Sequence, residues 1–323
     1  MDKVKVISER NYESWPSYFV VYEWEDVFSH EGIHLKIINY NLLYKFWRKI
    51  KGNISDKFER KFKSDQKQYN LKWIMDAQNY RRYAGKNIIP IFLDFPFDMV
   101  DKIKTATASI PFYWVTCLDI YEALREAGSR NVHFMPLSIS DRYYTGQVPD
   151  KTIDVIQFGR KNKILHEFMM EYCKKYPGTE YVYQTNDGSL TYESTIRGNI
   201  GKFDRREEYF QLMSGCKVSL VSSPGIDSSR NFGTVDFITP RFYESAVNYC
   251  YMIGRYTDNK EARMIGIDKV CTNVDSFKIF EKKMNEYLSS THFELKNTFD
   301  EFLNNNLTSK RVQNMMDIIM EFL

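Results

Sequence analysis

Residues 232–256, FGTVDFITPRFYESAVNYCYMIGRY, carry the reading that decides the fold. Pro240 suits the first turn of a helix, where a missing N–H costs nothing. Phe242, Ala246, Tyr249 and Cys250 after it have helical spacing. Tyr251 to Ile253 is a short apolar strand closing on Gly254. The stretch therefore predicts loop, helix and strand. Asp236 lies before the helix, and Arg241 and Glu244 fall in its first turns, near the positive end of the helix dipole. Phosphorylated ligands bind α/β sheets at such helix N-termini.

Working outward, the alternation continues in both directions. Val4–Ile7, Ile33–Asn39, Asn87–Leu93, Phe112–Cys117 and Val132–Pro136 read as strands. Ser17–Ser29 and Ile120–Glu126 read as helices, stopped by Gly32 and Gly128. In the second half, Asp154–Phe158, Tyr181–Gln184, Val218–Val221 and Val270 read as strand positions. Ile164–Lys175, Arg205–Met213 and Phe277–Leu288 read as helices. A last helix capped by Ser309 presents Val312, Met315, Met316, Ile319 and Leu323 on one face. Strand–helix alternation predicts α/β architecture with parallel sheets.

The length, 323 residues, suits two domains. Thr145–Lys151 reads as the linker, giving domains at 1–147 and 148–305, with 306–323 as a helix expected to pack back on the first. Lys and Arg number 45 against 42 Asp and Glu, a net charge of +3, too small to argue for nucleic acid. The five cysteines include no CxxC and read as reduced thiols. The opening MDKVKVISERNYESWP has no apolar run, and no run approaches a membrane span. These features predict a cytoplasmic protein. Residues 44–72 are rich in Lys and Arg, with Tyr44, Phe46, Trp47, Phe58, Phe62 and Tyr69 interleaved. They read as a solvated helix pair or as a peripheral contact with an anionic membrane.

Three segments resemble the GT-B glycosyltransferases. Val132–Ser140 with Arg142–Tyr144 resembles the domain crossover of that family, with Ser138 where Gly is usual. Asp154–Phe158 followed by Gly159-Arg160 is similar to the Gly-Arg segment that opens the donor-binding half. Pro240–Ala246 resembles the Arg-x-Phe-Glu-Ala segment of the retaining members, whose Glu-x7-Glu pair matches Asp236 and Glu244. The resemblance implies a GT-B fold: two Rossmann-like domains with parallel sheets facing a central cleft, the first binding acceptor and the second nucleotide sugar. It implies sugar transfer from a UDP- or GDP-linked donor to a glycan or lipid-linked acceptor. Retention of configuration and a place in surface polysaccharide synthesis follow from it, with no metal and no cofactor beyond the donor. Glu244 would hold the ribose, and Asp236 would contact the donor sugar. Gly159, Arg160, Lys161, Lys163 and Arg241 would receive the diphosphate. Asp94, in Asp94-Phe95-Pro96 after a strand, is the candidate catalytic acid of the first half, or a helix cap.

Two other readings compete. A non-catalytic module of the same fold would bind a glycan or an anionic surface. His30-Glu31-Gly32-Ile33-His34 matches the HExxH zinc signature, but Gly32 falls where the helix should end, which would make the imidazoles diverge.

Overall fold

The computed structural model of the chain describes residues 3–11, 16–38, 68–75, 87–93, 95–185, 190–227, 235–291 and 293–322. Two compact units emerge: Met1–Pro136 with Gly233–Val235 and Thr308–Leu323, and Leu137–Phe232 with Asp236–Leu307.

The first unit is a six-stranded sheet ordered β2-β1-β3-β4-β5-β6 and parallel at every pairing. Its strands are β1 (Val4–Ser8), β2 (His34–Ile37), β3 (Tyr69–Ile74), β4 (Ile88–Phe92), β5 (Tyr113–Val115) and β6 (Val132–Phe134). β4 is buried along its whole length, as a strand covered on both faces must be. Helix α1 (Tyr18–His30) lays Trp24 and Phe28 into the core, where Trp24 meets Trp73 at 5.2 Å. Helices α2 (Val100–Thr107) and α3 (Leu118–Glu126) follow. The order reverses between β1 and β3, so the loop after β1 stands at a topological switch point.

β3 lies where the sequence reading ended a helix pair. Lys72 belongs to this strand, is buried, and pairs with Glu9 at 2.7 Å. It is thus no part of a lipid-facing patch. The rest of the basic-aromatic tract, up to residue 67, lies outside the described residues.

The second unit is a seven-stranded sheet ordered β10-β9-β8-β7-β11-β12-β13. Its parallel part comprises β7 (Ile153–Gln157), β8 (Tyr181–Gln184), β11 (Cys216–Ser222), β12 (Tyr251–Arg255) and β13 (Cys271–Asn273). An antiparallel hairpin, β9 (Thr191–Ser194) and β10 (Gly198–Lys202), extends one edge. Helices α4 (Lys163–Lys175), α5 (Arg206–Ser214), α6 (Pro240–Val247), α7 (Lys260–Ile265), α8 (Ile267–Val270), α9 (Phe277–Ser289) and α10 (Lys296–Asn306) complete it. Val155, Leu165, Tyr181, Val218, Ile253, Phe280 and Met284 form one core cluster. Val270, read from sequence as strand, is the last residue of α8, and pairing begins at Cys271.

Residues 137–148 belong to the second unit, whereas the sequence placed the change of domain at 147/148. Packing explains the difference. Ile139 bridges Leu307, Tyr143 stacks on Phe210 at 3.8 Å, and the Tyr144 hydroxyl donates to Asp300 at 3.1 Å. The last helix, α11 (Thr308–Phe322), goes with the first unit and buries Val312, Met315, Met316 and Ile319. Its Phe322 ring stands edge-on to Tyr69 at 5.5 Å and to Phe112 at 5.2 Å. Among the described residues no helix is long and apolar enough to cross a membrane.

Candidate functional site

In the second sheet the order reverses between β7 and β11, and the crevice at the C-terminal tips of those strands is the expected ligand position. Beyond β7 the chain turns through Phe158 and Gly159, whose φ is +69°, into α4. Asn162 caps that helix, accepting from the Leu165 amide at 2.9 Å. Its side-chain amide donates to Ile226 O at 3.3 Å and to Asp227 at 3.0 Å. Asp227 also accepts two bonds from Arg255 at the end of β12, one of them at 2.7 Å. The loops after β7, β11 and β12 are thereby tied together. Burial works against the Asp227 charge, but the bonds from Arg255 and Asn162 outweigh it and hold its carboxyl below the usual range.

An ion pair and a shared lysine link helices α5 and α6. At their C-terminal ends Lys151 Nζ donates to both Ser214 O (2.9 Å) and Asn248 O (2.6 Å). Arg206, at the start of α5, is paired with Glu244, midway along α6. Ser245 on α6 donates to Ser219 on β11 at 2.8 Å, which fixes α6 against that face of the strand. Side chains two apart share a strand face, so Ser223 lies on the same side, at the tip. The strand rises roughly 13 Å from Ser219 to Ser223. The helix rises about 9 Å from Ser245 back to Thr239. Ser223 therefore stands by the N-terminal end of α6.

That helix end is prepared but uncapped. Thr239 holds the N-cap position without a side-chain capping bond, and Pro240 occupies the first turn. Among the described residues, Ser223 Oγ, Thr239 Oγ1 and Asp236 Oδ1 are buried without a hydrogen-bond partner. Buried hydroxyls in that state cost free energy. The Asp236 segment is anchored by the Ile238 amide, which donates to the buried Glu261 at 3.2 Å.

Arg241 and Gly159 meet. A Cβ built on Gly159 would stand 2.8 Å from Cζ of Arg241 and closer still to Nη2, so only glycine admits the guanidinium here. The Gly159 amide donates to the Tyr192 hydroxyl on β9 at 3.1 Å. Glu244 is 4% exposed, and both its oxygens are engaged, Oε1 by Arg206 and Oε2 by the Tyr209 hydroxyl. Burial, with the Glu244 charge beside it, pushes the Tyr209 hydroxyl far up, so it stays a donor. Phe158 is sandwiched between Tyr209 at 3.6 Å and Tyr192 at 5.0 Å.

Of the residues nominated by sequence, Gly159, Arg241 and Glu244 are brought into one cluster. Arg160 is exposed at the turn beside it. Lys161 turns aside: its ammonium sits over the Tyr183 ring at 4.7 Å, and burial lowers its pKa despite the charge of Glu193. Lys163 is on the solvent face of α4, 3.9 Å from Glu167. Asp94 lies outside the described residues. The HExxH residues do not share a helix: α1 ends at His30, Gly32 has φ +84°, and β2 begins at His34. His166 is held by the Tyr181 hydroxyl at 3.0 Å, and burial, then Lys161, lowers its pKa to about 4. Sequence reasoning missed Tyr192, Arg206, Tyr209, Ser223 and Asp227. Asn162, a capping residue before a helical pattern, was the one missed contributor with a local signal.

No protein-family model matches the chain, and no curated protein matches it in sequence. Solved structures do. An alpha-glucosyltransferase (AGT) in complex with UDP is 10% identical with a TM-score of 0.57, covering 98% of this chain and 99% of that one. The S. aureus MnaA–UDP structure is 10% identical with a TM-score of 0.55, covering 100% and 98%. A mutant of S. aureus TarM, in complex with fondaparinux, alpha-GlcNAc-glycerol and UDP, is 9% identical with a TM-score of 0.55. That match covers 77% of this chain but 55% of TarM, so this chain spans little more than half of that protein's length. With its two parallel-dominated sheets and these neighbours, the chain has the GT-B fold.

Proposed function

We propose that the chain is a glycosyltransferase that takes a sugar from a nucleotide diphosphate donor bound at the β7/β11 crevice. The observation that carries this is the meeting of Arg241, Gly159 and the uncapped α6 N-terminus, with the partnerless hydroxyls of Ser223 and Thr239 beside it. A guanidinium, oriented backbone dipoles and buried donors at a switch point suit a diphosphate. The same groups would stabilise it as it leaves, since its charge grows in the transition state. In this reading Arg241 and the helix end supply that stabilisation themselves, without a metal. The UDP in the AGT, MnaA and TarM structures makes UDP the first donor base to test.

Asp236 is the candidate contact to the donor sugar, since its partnerless Oδ1 is free to accept a hydroxyl. Glu244 is kept as a site residue, and Asp94 as the candidate acid of the first unit. Retention of configuration rests on the match of Asp236 and Glu244 to the acid pair of the retaining members. A glycan acceptor fits the reading, as does a role in glycoconjugate synthesis. A non-catalytic module of the same fold is the second reading, favoured by one observation: both Glu244 oxygens are already bonded within the protein.

The experiment is a thermal-shift panel of UDP, GDP, CDP and ADP with and without chelator, followed by release of sugar from the matching labelled donor. A ligand bound only by the native state stabilises it by about 2.7 kcal/mol at a hundred times its Kd. Stabilisation by one diphosphate, undiminished by chelator and lost in Arg241→Ala, together with sugar release supports the enzyme. Binding without sugar release to water or acceptor supports the module. No stabilisation by any of the four removes the donor site.

A further inference from the structure

We infer that Arg206 and Tyr209 are positioning residues for the diphosphate-binding turn, and that Glu244 acts through them rather than on the donor's ribose. The inference rests on the donor-site reading above and departs from the role that resemblance assigns to Glu244.

Three observations carry it. Glu244 has one oxygen bonded by Arg206 and the other by Tyr209, and at 4% exposure its remaining lone pairs are shielded from a pair of ribose hydroxyls by the surrounding protein. The Tyr209 ring lies 3.6 Å from Phe158, the residue before Gly159. On the other face of Phe158 the Tyr192 ring packs at 5.0 Å, and the Tyr192 hydroxyl receives the Gly159 amide at 3.1 Å. A continuous path thus runs from Glu244 through Tyr209 and Phe158 to the backbone of Gly159. Arg206 braces its start. Its guanidinium is paired with Glu244 and lies 4.6 Å over the Phe210 ring, which is itself stacked on Tyr143 at 3.8 Å. Arg241, one helical turn before Glu244, touches the other end of the path at Gly159 directly. One helix therefore sets both the turn and the cation that faces it. The buried Arg206–Glu244 pair is neutral as a unit, which leaves Arg241 to bring charge to the ligand.

The test compares Tyr209→Phe, Glu244→Gln and their double variant, with Arg206→Lys as a milder second probe should Glu244→Gln fold poorly. Tyr209→Phe keeps the ring and removes the hydroxyl's bond to Glu244 together with its weak 3.7 Å contact to Met213 Sδ. Two readouts are taken: hydrogen exchange of the Phe158–Asn162 segment, and the Kd values of UDP and uridine by calorimetry. Loss of a charge-assisted bond predicts roughly tenfold faster exchange and roughly tenfold weaker UDP binding in each single variant. The double variant should be no worse than the singles, and uridine affinity should be unchanged in all. A direct ribose contact would instead weaken uridine and UDP equally in Glu244→Gln and leave Tyr209→Phe like the wild type. That result would overturn the inference. Should the wild type bind none of UDP, GDP, CDP and ADP, the donor-site reading falls, and the exchange arm decides alone. Unchanged protection at Gly159 in Tyr209→Phe would then refute the path.

Discussion

The guanidinium of Arg241 covers the Cα of Gly159, a residue whose φ of +69° already favours glycine. Gly159→Ala meets two penalties. The left-handed backbone costs an L-residue roughly 1–2 kcal/mol, and the new methyl displaces the cation. The expected outcome is a melting temperature lower by a few degrees and UDP affinity lower by tenfold or more. Calorimetry and thermal denaturation check both. Wild-type affinity in this variant would mean that Arg241 does not face the ligand.

Asp227 joins the loops after β7, β11 and β12 through Asn162 and Arg255. Asp227→Ala leaves Arg255 without its bidentate partner, and bonds to charged groups contribute about 1.5–3 kcal/mol. A loss near the lower end is expected, because the pair is partly exposed. The folded pKa of Asp227 is depressed. Its contribution is therefore present above the unfolded value and lost as pH falls through the folded one. Denaturant titrations of both proteins, from neutral pH into the acid range, should converge at the acid end.

Much of this arrangement was legible locally. The apolar runs of β4, β7 and β12 and the Pro240 start of α6 are signals within one element, and so is the glycine after β7. The β9–β10 hairpin was not, because TYES and GNIGK alternate poorly and Gly198 and Gly201 serve a positive-φ backbone. β3 hid behind the basic tract, since the buried Lys72 is paired with Glu9, just beyond the end of the neighbouring β1. The partners of Glu244 lie 38 and 35 positions away in Arg206 and Tyr209. Such pairings exist only once helices pack, so the sequence pointed to the acid without showing that its oxygens are occupied.

Gly254 lies inside β12, where a Cβ would approach Cys271 Sγ to 2.6 Å and Val221 Cγ2 to 3.2 Å. Both neighbours are buried, so Gly254→Ala should cost about 1–3 kcal/mol through overpacking. Pairing it with Cys271→Ala removes the nearer clash. The double variant is then expected to be more stable than the sum of the single losses, measured as a double-mutant cycle in urea. Strict additivity would place the strain on Val221 instead.

Glu25 in the first unit supplies a pH signature of opposite sign. Its carboxyl is 1% exposed and accepts from Ser8 at 2.5 Å and from Arg10 at 3.0 Å, while Arg10 also pairs with Asp26. Burial raises its pKa from 4.5 to about 7, only partly countered by the bonds from Ser8 and Arg10. Between those values the folded chain keeps a proton that the unfolded chain has lost. The contribution of this group is therefore complete below pH 4.5 and disappears as pH rises through about 7. The slope is at most roughly 1.4 kcal/mol per pH unit. Glu25→Gln keeps acceptors for Ser8 and Arg10 but cannot titrate, so its stability should vary less across the same window. Trp24 and Trp73, 5.2 Å apart in the core of this unit, supply the fluorescence that follows its unfolding. Urea titrations at intervals from pH 4.5 to 8 check the difference. Parallel pH profiles for the two proteins would show that the Glu25 proton is not linked to folding.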